Sequence, residues 1–149
     1  MFRKILVAAA LASIGGLSVA QAPAPAQALP RTASPAGAKV YIVLPADGAK
    51  VKSPVTVVFG LAGMGIAPAG MQFDNTGHHH LLIDTDLPKD MGAPLPANDN
   101  IKHFGKGQTE ASIELKPGKH TLQLVLGDHL HIPFNPVVAS QKITITVTQ

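Results

Sequence analysis

Ile143-Thr144-Ile145-Thr146-Val147-Thr148 alternates an apolar β-branched residue with threonine at every step. A period of two sends one set of side chains to a buried face and the other to solvent, which describes a half-buried strand and not a helix. Working outward from it, the same period recurs in His120, Leu122, Leu124 and Leu126, in Ile113 and Leu115, in Val55, Val57, Phe59 and Leu61, and in Val40, Ile42 and Leu44. His78 to Asp84 adds a further strand. The breaks carry turn chemistry: Pro45-Ala46-Asp47-Gly48, Ser53-Pro54, and Pro117-Gly118, the last expected to join the strands around Leu115 and Thr121 as a tight hairpin. Many short strands without a helical stripe predict an all-β domain over residues 38–149, an antiparallel β-sandwich of immunoglobulin-like or fibronectin-like type. The Trp and Cys of antibody domains are missing, so the likeness is one of architecture. Ala62 to Thr76 and Thr85 to Gly107 read as long loops flanking the histidines, and loops of that length tend to carry function.

The 149 residues include 7 His, no Cys and no Trp. Without cysteine there is no disulfide, thiolate nucleophile, iron–sulfur cluster, covalently attached c-type haem or cysteine-ligated blue copper. Met1-Phe2-Arg3-Lys4 is a basic start, Ile5 to Val19 is an apolar run too short and too rich in Ala, Gly and Ser for a membrane span, and small residues follow. Residues 1–28 are therefore expected to be a signal peptide and processing region, cut after Ala20 or Ala28, with residues 29–37 a Pro/Ala-rich flexible tether. The expected location is the periplasm, or outside the cell, with no integral membrane span after cleavage. Losing Arg3 and Lys4 with the leader takes the formal charge from +3 to +1. No basic stripe remains to hold phosphates, so no nucleic-acid partner is expected.

All seven histidines fall between residues 78 and 131. On a strand, His78 and His80 project from one face, while His79 joins Leu81 and Ile83 on the other. His129-Leu130-His131 repeats the spacing. Imidazoles at i and i+2 stand about 7 Å apart at the backbone, and their ring nitrogens can converge on one ion at about 2.0–2.1 Å each. His78, His80, His129 and His131 are thus the candidate ligands of one copper or zinc ion, with the thioethers of Met64, Met71 and Met91 available to Cu(I). His103 lies between Lys102 and Lys106, whose charges disfavour a cation unless they point away, and is a secondary candidate. His120, ahead of Leu122, reads as a strand-end residue donating to a backbone carbonyl, and His79 as a structural hydrogen-bonder. Asp84-Thr85-Asp86 lacks the order of an EF-hand loop, and Gly105-Lys106-Gly107-Gln108-Thr109 lacks the spacing of a phosphate loop. No Gly-x-Ser-x-Gly elbow occurs.

The expectation is a non-enzymatic binding module whose partner is a metal ion or a periplasmic protein. The alternative is a structural or protein-interaction domain whose histidines satisfy buried polar groups and hold no metal. A metal-dependent enzyme would need an open coordination position and a nearby acid or base, such as Asp84 or Glu110.

Gly77-His78-His79-His80-Leu81-Leu82-Ile83-Asp84, then His103 to Glu110, then Pro117 to Leu124, then Asp128 to Pro136 and Ser140 form four blocks in order. Together they resemble the bacterial family known as domain of unknown function 4399, over roughly residues 55–148. The resemblance implies a small secreted or periplasmic β domain and brings no activity with it. It also implies a His-x-Pro-His-x-Pro block after the aspartate. Here His131 and Pro133 match, Phe134 stands where a second His is expected, and His129 is additional.

Overall fold

The computed structural model describes residues 30–149; the expected signal peptide and its cleavage sites lie outside the described residues. Those residues form strands and no helix: β1 (Lys39–Leu44), β2 (Lys50–Lys52), β3 (Val55–Ala62), β4 (Gly65–Ile66), β5 (Thr76–Ile83), β6 (Ile101–Phe104), β7 (Glu110–Ile113), β8 (Gly118–Gly127) and β9 (Ile143–Thr148). A three-stranded sheet runs β1-β3-β7. A six-stranded sheet runs β2-β9-β8-β5-β4, with β6 also pairing β5. Most pairs are antiparallel, but β2 runs parallel to β9 and β4 parallel to β5.

The two sheets share one apolar core. Val40 of β1 and Val55, Val57 and Phe59 of β3 meet Leu81 and Ile83 of β5, Leu122, Leu124 and Leu126 of β8, and Ile145 and Val147 of β9. These are the inward positions that the period-two alternation marks, so burial of one face per strand is what stacks the sheets.

The other face of the six-stranded sheet is also covered. Leu82 of β5 and Val125 of β8 form a second cluster with Ile101 and Leu95, closed over by Leu87, Val137 and Ala139. The segments after β5 and after β8 therefore act as lids on the outer face. Under them β5 is buried on both sides from Gly77 to Ile83.

Three local expectations change. Pro117-Gly118 makes no hairpin: β7 pairs with β3 in the small sheet, whereas β8 pairs with β5 and β9 in the large one, so the turn carries the chain from one sheet to the other. The stretches expected as loops contain β4 and β6, strands too short for an alternation to register. From residue 30 on, the run expected as a flexible tether lies against the loop after β8. Asn135 donates to the Thr32 carbonyl (2.9 Å), Ser34 donates to the Asn135 carbonyl (3.1 Å), and Arg31 Nε donates to the Pro133 carbonyl (3.0 Å). Sequence composition signals a lack of apolar periodicity there, but not the backbone partners supplied by another segment.

Candidate metal centre

His78 and His80 share the outer face of β5 with Leu82, as their spacing requires, and both are 0% exposed. The cross-strand partner of His80 on β6 is His103, so the register brings that ring to the same face. Strand alternation turns Lys102 the other way, and its ammonium approaches Asp99 at 3.4 Å. Of the two lysines that argue against a cation at His103, Lys102 thus points away from the rings. His131 arrives from the loop after β8.

The four rings form one group. His78 lies 4.8 Å from His80, 5.0 Å from His103 and 4.9 Å from His131, centroid to centroid. His103 is 5.1 Å from His80 and 4.7 Å from His131, and His80 is 6.0 Å from His131. One ring nitrogen from each of His78, His80 and His103 lies within 4.8 Å of the other two. A tetrahedral ion with bonds of about 2.0–2.1 Å holds its ligand atoms roughly 3.3 Å apart, so gathering these nitrogens around an ion takes only small ring rotations.

Two glycines make the room. A Cβ on Gly105 would stand 2.3 Å from His103 Cε1 and 2.4 Å from its Nε2. Gly105 is two residues after His103, and the ring folds over the space where its side chain would be. On β8, Gly127 lies opposite His78, and a Cβ there would stand 2.8 Å from His80 Cε1 and 3.3 Å from the His131 carbonyl carbon.

The electrostatics favour neutral rings. Burial, followed by the neighbouring histidines, lowers His78 from its ordinary 6.5 to about 4 and His80 to about 3. Burial and then His131 lower His103 as well. A neutral imidazole offers one lone pair to an acid, whether proton or metal. Both nitrogens of His78, both of His80 and Nε2 of His103 are buried without a hydrogen-bond partner. Each such group typically costs about 1–3 kcal/mol if left unsatisfied, and since each neutral ring has one lone pair, an acceptor of lone pairs would satisfy one nitrogen on each of the three rings.

The remaining histidines lie elsewhere. His129 lines a separate surface cavity of about 340 Å³ with Met71, Phe73, Asp74 and Asp128, and is not among the four clustered rings. The i, i+2 rule presumes an extended backbone. Here the chain turns: Asp128 N donates to the Ile132 carbonyl (2.9 Å) and His131 N to the Asp128 carbonyl (2.8 Å), and His131 has φ of 67°. His129 and His131 consequently part company. His79 faces the inter-sheet core, 5.0 Å from the Phe59 ring, with Nδ1 3.3 Å from the Gln108 carbonyl. His120 Nε2 donates to the Lys116 carbonyl (2.8 Å), and Nδ1 meets the Asp84 carboxylate at 2.7 Å. Burial pulls the His120 pKa down, but Asp84 and the carbonyl outweigh it and the net shift is upward. Met64 packs against the inter-sheet core and Met71 lines the His129 cavity, so neither thioether belongs to the ring cluster.

Fold and site define a small all-β protein with a buried cluster of neutral imidazoles suited to a metal ion. Its residues 57–148 match the family model described as domain of unknown function (DUF4399), and the chain belongs to that family. The matched span holds all four clustered histidines. No curated protein and no solved structure matches the chain. Among the described residues, no helix is long and apolar enough to cross a membrane.

Proposed function

We propose that this protein is a non-enzymatic, periplasmic metal-binding module of immunoglobulin-like sandwich architecture, which holds one copper or zinc ion through His78, His80 and His103. The observation that carries the reading is the convergence of three imidazoles, each with at least one buried nitrogen lacking a partner and each offering a ligand nitrogen within 4.8 Å of the other two. An all-imidazole donor set suits copper and zinc, whereas magnesium and calcium demand oxygen ligands. His129 is left out of the ligand set because it lies on another cavity. The basic and apolar leader supports export to the periplasm.

The test uses protein recovered from the periplasm, stripped with chelator, loaded with Cu(II) or Zn(II), and desalted. About one tightly held ion per chain is expected, lost in His80→Ala and in His103→Ala. No retained ion in the wild type would return the four rings to a structural or protein-interaction role. Intact mass of the same preparation reads the leader: a chain shortened to after Ala20 or Ala28 is expected, and a full-length chain in membranes would contradict export.

A further inference from the structure

His131 is the ring whose placement owes least to the sheets. It stands beyond the last residue of β8, its backbone is in the left-handed region at φ 67°, and a non-glycine residue rarely adopts that conformation without support. The support comes from Asp128, which is 2% exposed. One carboxylate oxygen accepts the N–H groups of Leu130 (2.9 Å) and Ile132 (3.0 Å), on either side of His131. The other accepts the Thr32 hydroxyl at 2.6 Å. Thr32 belongs to the N-terminal segment strapped across this loop, some hundred residues away in sequence.

We propose that His131 is a fourth imidazole ligand of the ion, that Asp128 and Thr32 are the positioning residues that set it, and that the N-terminal strap is thereby coupled to metal affinity. This rests on the metal-binding reading of His78, His80 and His103. The strap holds Asp128, Asp128 holds the turn, and the turn presents the ring 4.7 Å from His103 and 4.9 Å from His78. Because coupling between two equilibria is reciprocal, an ion that draws in His131 also tightens the strap, and a strap pulled free loosens the ion. The N-terminal segment is then a latch on the His131 side of the site.

The experiment is a double-mutant cycle on the full chain as exported, with Co(II) as the probe, because its visible absorption reports both affinity and coordination number. Thr32→Val removes the hydroxyl at nearly constant volume, and Thr32→Ser restores it. Support residues of metal ligands typically contribute about 10- to 100-fold in affinity. Thr32→Val should weaken Co(II) by about that factor and weaken the intense four-coordinate bands, with Thr32→Ser returning both. In a His131→Ala background the same change should have almost no effect, since the ring through which Thr32 acts is gone. Equal losses from Thr32→Val with and without His131 would overturn the latch while leaving the three-histidine site standing. No Co(II) or Zn(II) binding by the wild type would overturn both. A merely structural Thr32 would lower stability in both backgrounds and leave the four-coordinate spectrum at saturation unchanged, which would also refute the proposal.

Discussion

Acidifying the metal-free protein should destabilise it through the two most deeply buried rings. His78 and His80 titrate at about 4 and about 3 in the fold against 6.5 ordinarily. Above pH 6.5 neither the folded nor the unfolded chain carries these protons, and their full contribution to stability is present. Below it the unfolded chain takes up two protons that the fold refuses, so stability is lost as pH falls from 6.5 toward the folded values. Stability changes by about 1.4 kcal/mol per pH unit for each proton bound only by the unfolded state, which gives a loss of about 2 kcal/mol per ring between pH 7.5 and 5, or about 4 kcal/mol for the pair. That is a large share of the roughly 5–15 kcal/mol that holds a small domain together. His79 and His103, also lowered, act in the same direction, whereas His120, raised by Asp84 and the Lys116 carbonyl against its own burial, acts in the opposite one. Urea unfolding in the presence of chelator at pH 7.5, 6.5, 5.5 and 5.0 measures the slope. His80→Leu, which puts a non-titrating apolar side chain of similar size in its place, should reduce the loss by about 2 kcal/mol over the same range. A wild-type stability that is flat or rises across this window, or an unchanged slope in His80→Leu, would refute the burial of neutral rings on which the site depends.

Gly105→Ala places a methyl group inside the van der Waals envelope of His103; it should weaken metal retention and cost about 1–3 kcal/mol by overpacking, measured by metal titration and urea unfolding. His120→Ala should leave metal binding intact and lower stability by about 1 kcal/mol or less, because it removes a largely solvent-screened ion pair with Asp84, whose carboxylate keeps the Thr121 N–H. With a raised folded pKa, that contribution is full below the unfolded value of 6.5 and fades as pH rises through the folded one, so the loss should be larger at pH 6 than at pH 9 in thermal melts. His129→Ala should change neither metal stoichiometry nor affinity, read by isothermal titration. Met71→Leu should likewise leave Zn(II) and Cu(II) retention unchanged.

The strands that carry most of the core were readable because each buries one face, and an alternation such as Val55, Val57 and Phe59 shows that directly in the sequence. The same rule places His78 and His80 together. It fails at His129 and His131, where a side chain two places along no longer shares a face because the aspartate-capped turn breaks the extended geometry. His103 was harder to see. Its partnership with His80 comes from the register between β5 and a strand of four residues, and register between distant segments leaves no local periodicity. The one local sign is Gly105, two residues on along the same face, where a missing side chain gives the ring its space. The destination of Pro117-Gly118 was hidden for a similar reason: a Pro-Gly turn fixes the local bend, while the partners of β7 and β8 decide whether that bend closes a hairpin or joins two sheets.

X-ray absorption at the zinc edge of the loaded, desalted protein tests the site most directly, since it counts the donors and identifies them. Three to four nitrogen neighbours at about 2.0–2.1 Å, with the outer-shell scattering of imidazole and no sulfur, are expected, and His103→Ala should retain no zinc after desalting. A shell of oxygen donors without imidazole scattering, or one unchanged by His103→Ala, would contradict the assignment of the buried histidines as the metal centre.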